Sequence, residues 1–95
     1  MPYFRRPDLR NANLEDADLT GANLSEAELE GTDLSKADLR NADFRNAKWQ
    51  KIIDVKMANV FGVKNAPPEF LNWAMQNGAV SEKVDAEWQA LLARE

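Results

Sequence analysis

The feature that most constrains this chain is a large apolar residue at every fifth position from Leu9 to Trp49. A small residue, usually alanine, stands two places before each of them. On an α-helix a step of five turns the side chain by roughly 140°, which scatters the leucines around the cylinder. On a β-strand each such step reverses the face, so alternate leucines would point to solvent. The spacing therefore indicates a chain that turns once in every five residues.

Four such turns close a square coil of about twenty residues, and successive coils stack at the β spacing of roughly 4.8 Å. The large and the small residues point inward and fill the shaft. Asn and Asp are common around the corners, where their side chains can bond the local backbone. The outward residues twenty apart are expected to stack as Asp8, Glu28, Lys48; Asn13, Asp33, Asp54; Asp18, Asp38, Asn59; and Asn23, Asp43, Lys64.

The register changes after Trp49, because the next apolar centre, Val55, follows by six residues. We expect a bulge at a corner around Lys51 to Ile53, within a register shift near residues 50–54. The predicted core centres are Leu9, Leu14, Leu19, Leu24, Leu29, Leu34, Leu39, Phe44, Trp49, Val55 and Val60.

The A-(D/N)-L-x-x pattern of residues 7–51 resembles the pentapeptide-repeat family, whose fold is a right-handed quadrilateral β-helix. The resemblance implies an all-β solenoid of just under three coils, with one or two C-terminal α-helices as in small bacterial members. The expected organisation is an N-terminal cap over 1–6, the β-helix over 7–65, and a helical cap with a second helix over 66–95. An alanine-rich helical protein is the alternative, but it leaves the leucines scattered.

Both ends of so short a stack need covering, because they expose apolar core and unpaired edges. At the lower end, Pro2, Tyr3 and Phe4 form a short candidate cap. At the upper end, a helix is expected from Pro67 and Pro68 to the stop at Asn77-Gly78.

A second helix is expected after Ser81 as N-cap, with Val84, Trp88 and Leu91 on one stripe. Two alternatives remain open for it. Packing against its own domain is favoured, and binding to another subunit or partner is the other.

Enzymatic activity is not expected. The chain has no His and no Cys, so the usual general base and thiolate chemistry are missing, and Ser25, Ser35 and Ser81 have no histidine partner. Asp18 and Asp38 come close enough for a weak Ca²⁺ site, but they project from a convex surface. We therefore predict no catalytic, cofactor or metal site. No stretch is a signal peptide or a membrane span, which favours the cytoplasm.

Charge is unevenly distributed along the chain, whose net charge is −4. Residues 13–35 hold seven acids and no Lys or Arg, whereas residues 36–64 hold seven bases against three acids. An acidic belt beside a basic belt favours a docking surface for a protein. The predicted partner surface comprises Glu15, Asp18, Glu28, Glu30, Asp33, Arg40, Arg45, Lys48, Trp88 and Leu91.

The function expected from the sequence is that of a non-enzymatic protein–protein interaction or scaffold module. Its partner would be a protein, with a homodimer through a coil end or the last helix as one form, and nucleic acid is disfavoured by the charge. The alternative, implied by the resemblance, is a DNA-mimicking protein that binds DNA gyrase or topoisomerase. That activity needs a long, continuously acidic stack, whereas this stack is short and its upper coil is basic.

Overall fold

The computed structural model describes residues 6–95, and in it the five-residue repeats wind into stacked levels. Parallel single-residue bridges join Asp8 to Glu28 and Glu28 to Lys48, and the same holds for the other walls. These bridges confirm all four predicted ladders. Within residues 6–95 the walls consist of isolated bridges and contain no longer strand. The five-residue spacing leaves no room for longer strands, because each wall is followed at once by the next turn.

Each repeat within residues 7–46 ends at a corner residue with positive φ. Asn11, Asp16 and Gly21 have φ values of 62°, 64° and 68°, and Lys36 adopts 58° in the next level. The turn is closed by a backbone hydrogen bond across it, as between the Ala12 N–H and the Leu9 carbonyl at 3.0 Å. Positive φ favours Gly and Asn, which explains the corner composition of the sequence.

The core lies in the middle and upper levels. The predicted centres that are buried are Leu24, Leu29, Leu34, Leu39, Phe44, Val55 and Val60. Leu9, Leu14, Leu19 and Trp49 are only half-buried. The lower three are half-buried because no coil among the described residues lies beneath them. The cap predicted from Pro2, Tyr3 and Phe4 lies outside the described residues.

The register shift is a bulge opposite Asp33. The Ile53 N–H donates to the Thr32 carbonyl at 3.0 Å, while the Asp54 carbonyl accepts from the Leu34 N–H at 2.8 Å. Two residues of the upper level therefore face one residue below, as in a β-bulge. From this point the bridges join residues twenty-one apart, beginning with Asp33 and Asp54.

The first helix, α1 (Pro68–Gln76), packs against the upper part of the core through Phe70. Proline at its first turn costs no hydrogen bond, since that N–H would have no helical partner. Phe70 is fully buried, with its ring centroid 4.7 Å from that of Phe44 and 5.5 Å from that of Trp49. Gly78, at φ +95°, ends the helix where the sequence predicts the stop.

After α1 the chain returns to one wall and then forms α2 (Asp85–Leu92). Val80 pairs with Asn59 and adds a further level to the wall of Asp18 and Asp38. The prediction that Ser81 caps the second helix is wrong, because pairing with the wall holds residues 80–82 extended and the helix begins only at Asp85. Neither helix of the described chain has the length and apolarity needed to cross a membrane.

Candidate interaction surfaces

The lower two levels carry an acidic surface, which we define as Glu15, Asp16, Asp18 and Asp33. The first three side chains are exposed and Asp33 is half-buried. The position of Asp18 follows from the local backbone, because its carboxylate accepts the N–H of Thr20 at 3.1 Å. Hydrogen bonds from Thr20 lower the pKa of this carboxyl group. The Asp18 carboxylate is therefore held as a negative charge on this turn.

A shallow groove of mixed charge lies on the neighbouring wall and has a volume of about 270 Å³. Glu28 and Glu30 line it between Arg10 below and Lys48 above. Arg10 is engaged by Asp8, its Nη2 lying 2.8 Å from the carboxylate. Those hydrogen bonds lower the pKa of Asp8 to about 2. The structure thus brings Glu28, Glu30 and Lys48 of the predicted partner surface together.

The upper two levels carry a basic edge, which we define as Arg45, Lys48, Lys51 and Lys64. All four side chains are exposed. The ion pairs within 4.0 Å among the described residues involve other cations, namely Arg6, Arg10, Arg40 and Lys56. The basic edge is therefore available to solvent and to a partner.

Arg40 does not belong to a free surface, and its assignment to the partner surface is wrong. Its side chain is 17 % exposed and lies between two carboxylates, with Nη2 2.5 Å from Asp38 and 2.9 Å from Asp85. The guanidinium also lies 5.3 Å from the centroid of the Trp88 ring. The pair lowers the pKa of Asp38, chiefly through the side-chain hydrogen bond from Arg40.

Trp88 likewise does not lie on a free surface, because α2 packs on its own coil. Its indole is buried, and Nε1–H donates to the Met57 carbonyl at 3.0 Å. Leu91, which follows Trp88 one helical turn later, is half-buried. Of the two alternatives for the last helix, packing on its own domain is the one observed.

Asn59 is a polar residue whose role the repeat pattern does not show. The ladder places it outward, yet it is fully buried beneath the returning chain. Its amide binds both backbone groups of Glu82, donating from Nδ2 to the carbonyl at 2.9 Å and accepting from the N–H at 3.1 Å. The signal in the sequence is Asn where the two levels below have Asp18 and Asp38, because an amide both donates and accepts whereas a carboxylate only accepts.

Residues 6–95 contain no group of three or more Asp or Glu side chains arranged to hold a metal ion. Asp18 and Asp38, the predicted pair, have different hydrogen-bond donors. Arg40 donates to Asp38, and the Thr20 N–H donates to Asp18. The acidic groups thus act as surface charges and as partners of arginine or backbone N–H groups.

Comparison with known proteins agrees with this geometry. A family model described as pentapeptide repeats in eight copies matches residues 3–35. No match was found among curated proteins. The match covers the lower levels of the stack, where the five-residue period is most regular, and the bridges continue the same arrangement through Lys64. Over residues 3–35 the chain is therefore similar to pentapeptide-repeat proteins.

Proposed function

We propose that the protein is a non-enzymatic interaction module that binds a partner protein through the charged sides of its coil. The observation that carries the proposal is the separation of charge along the stack axis. Residues 8–27 hold five acids and one arginine, whereas residues 48–66 hold four lysines and one aspartate. A rigid surface with opposite charge at its two ends favours one orientation of a charged partner.

The stack also keeps its charged groups at fixed spacing, which suits recognition rather than chemistry. We infer from the family a right-handed quadrilateral β-helix of just under three coils, with the helices of residues 66–95 as its cap. The outward side chains of such a coil project from convex walls, whereas substrates are usually bound in concave sites. This supports a binding role without catalysis.

The acidic surface is the part that we expect to contact a basic segment of the partner. Glu15, Asp16 and Asp18 are exposed on adjacent corner and wall positions of one level. Residues 13–35, which contain them, hold no lysine or arginine. Complementary charge of this kind raises the association rate and makes binding sensitive to salt.

The alternative of DNA mimicry has less support. A mimic of the duplex would present negative charge along its whole length, whereas Lys48, Lys51 and Lys64 interrupt the charge in the upper coil. We expect the protein to leave the supercoiling reaction of DNA gyrase unchanged. Inhibition or protection at stoichiometric protein would favour the alternative.

The proposal is tested with isosteric neutral variants of the acidic surface. Proteins from the native host are captured on wild-type chain, and the affinity of each captured partner is then compared between wild type and the triple variant Glu15→Gln, Asp16→Asn, Asp18→Asn. We expect affinity to fall about tenfold and its salt dependence to weaken. The matched control is Lys48→Gln, Lys51→Gln, which removes charge at the other end. Partners that bind both variants and wild type equally at all salt concentrations would overturn the proposal.

Assembly with a second copy is a further part of the proposal. The lower end of the stack presents the half-buried Leu9, Leu14 and Leu19, and α1 covers the upper end. Association through the lower coil end would therefore stop at a dimer, because the other end cannot extend the stack. Light scattering across protein concentration tests this, and a constant monomer mass at high concentration would exclude it.

A further inference from the structure

The wall at Trp49 ends in an upper edge, the Trp49 edge, with which no other part of the described chain pairs. One level lower the wall is paired, because the Leu29 N–H donates to the Lys48 carbonyl at 3.3 Å and the Lys48 N–H donates to the Ala27 carbonyl at 2.9 Å. The equivalent groups at the Trp49 edge are the Trp49 N–H and the Ala47 carbonyl, and neither has a hydrogen-bond partner in the described chain. Unpaired groups of this kind are a template for pairing with another chain.

The opposite wall of the same level shows how such an edge is filled. There the Val60 N–H donates to the Val80 carbonyl, and the Val80 N–H donates to the Ala58 carbonyl, both at 2.8 Å. Trp49 and Ala47 hold the same positions in their repeat as Val60 and Ala58. The Trp49 edge can therefore pair with one extended residue of another segment, a mode known from peptide recognition.

The same comparison fixes which side chains of that segment face the coil. Val80 pairs with Asn59, the residue before the centre of its wall, so a residue that pairs with the Trp49 edge stacks over Lys48. Because side chains alternate along an extended chain, the residue after it points inward over Trp49. An acid over Lys48 and an apolar residue over Trp49 are the favoured pairs.

A groove of about 460 Å³ lies beside the Trp49 edge and has room for the inward side chain. Trp49 and Ala47 line it together with Ala66 and Pro67. Trp49 is half-buried, and its ring centroid lies 5.7 Å from that of Trp73, so the indole is held in place by packing. A large apolar side chain in this groove would cover apolar surface that the chain itself leaves open.

The charge around the groove favours an acidic segment. Arg45 lines the groove, and no Asp or Glu of the described chain does. Lys48 and Lys51 flank the Trp49 edge, and both are exposed. Glu28 and Glu30 lie one level below, and neither forms an ion pair within 4.0 Å with these cations. Carboxylates of a partner are therefore attracted here, and a basic segment is repelled.

We propose that the Trp49 edge docks an extended, acidic segment of a partner protein in which an acid is followed by a large apolar residue. The acid pairs with the backbone of the Trp49 edge and faces Lys48, and the apolar side chain enters the groove. A second copy is the weaker occupant, because its acid-rich residues 13–35 already form walls and turns of its own coil. This site does not depend on the acidic surface, whose partner segment is basic, so each can fail without the other.

Amide hydrogen exchange of the full chain, followed by NMR, tests the open edge without any ligand. The Trp49 N–H should exchange at least about tenfold faster than the Val60 N–H, which is protected by its hydrogen bond to Val80. Equal protection of the two amides would show that the Trp49 edge is already covered, and it would overturn the proposal.

The probe for docking is a synthetic decapeptide of alternating glutamate and threonine in which one central threonine is replaced by leucine. It is titrated to about 2 mM, the range of weak affinities, while the amide signals of the isotope-labelled chain are recorded. We expect the signal of the Trp49 N–H to shift and its exchange to slow. No response of this amide at the highest peptide concentration would overturn the proposal.

Matched peptides test the backbone pairing. N-methylation of the glutamate before the leucine removes the N–H that donates to the Ala47 carbonyl, so binding should weaken at least about tenfold. N-methylation of the leucine is the control, because its N–H points away from the coil, and this peptide should bind within about twofold of the parent. Equal binding of all three peptides would show adhesion to an unrelated surface and would refute the pairing.

Matched variants of the chain test the charge. Lys48→Gln/Lys51→Gln should weaken binding of the parent peptide about tenfold. Lys83→Gln/Arg94→Gln removes the same charge from the segment after Val80 and should leave binding unchanged. Equal losses for the two variants would indicate a general charge effect and count against the site. A shift of the Trp49 amide with protein concentration alone would assign the edge to a second copy instead.

Discussion

Two glycines in the same corner give a direct test of how the levels stack. Gly21 and Gly62 have φ values of +68° and +72°, so alanine at either position is strained in the same way. They differ in what lies below. A Cβ on Gly21 meets no atom of the described chain within 4 Å, whereas a Cβ on Gly62 lies 2.5 Å from Oδ1 and 3.4 Å from Cγ of Asn41.

The destabilisation expected for each alanine variant follows from the strain of the positive φ and from the contact with Asn41. The left-handed conformation costs an L-residue about 1–2 kcal/mol, and the reduced freedom of the unfolded chain returns about 0.4–1 kcal/mol. Gly21→Ala should therefore destabilise by about 1 kcal/mol. Gly62→Ala must also displace the Asn41 side chain from its rotamer, which costs about 0.5–1.5 kcal/mol more. We expect about 2 kcal/mol in total for Gly62→Ala.

The assay is urea unfolding followed by circular dichroism, with free energies compared only where the slope m is unchanged. A double-mutant cycle with Asn41→Gly isolates the contact, since glycine removes the obstructing side chain and accepts the positive φ. In that background Gly62→Ala should cost no more than Gly21→Ala. Equal costs for the two alanine variants in the wild-type background, or an Asn41→Gly background that gives no relief, would refute the stacking argument.

Three further predictions concern the cap, an ion pair and the buried amide. Phe70→Ala should destabilise by about 3–4 kcal/mol in urea unfolding, because the fully buried ring fills the upper end of the shaft. Arg10 lowers the pKa of Asp8 to about 2. The contribution of this carboxylate to stability is therefore present above about pH 4 and is lost as the pH falls toward 2. Asp8→Asn should make the melting temperature less dependent on pH over that range. Asn59→Asp should destabilise by about 2 kcal/mol or more at neutral pH, because it leaves the Glu82 carbonyl without a donor and buries a charge; a melting temperature equal to that of wild type would contradict this.

The walls and most of the core could be predicted from the sequence, because both depend on the period alone. The five-residue period, with one inserted residue after Trp49, predicts both the bridge from Asp33 to Asp54 and the burial of Val55. The half-burial of Leu9 could not be predicted in this way, since a period does not say which level lies at the end of a stack.

The contacts of the last helix depend on residues far apart in the chain, which no local pattern predicts. Arg40 looks like any exposed turn residue of the repeat, and its pairing with Asp85 of the last helix does not follow from the repeat pattern. Trp88 lies on a stripe that favours self-packing but also suits partner binding. The sequence also predicts too early a start for this helix. Ser81 has a side chain suited to a cap, but pairing with the wall holds the backbone around it extended.

The departures from the repeat therefore carry more information about individual contacts than the repeat itself. The extra residue at Ile53 and Asp54 shifts all later levels by one place, and after this shift Met57 occupies the corner whose carbonyl binds the indole of Trp88. Asn59, in the place of an aspartate, supplies the donor and acceptor that hold the returning backbone. Both departures lie in the upper level, and Asn59 lies on the wall to which Val80 returns. A regular repeat can specify contacts only between equivalent positions, so a non-repeating segment must be recognised by residues that break the pattern.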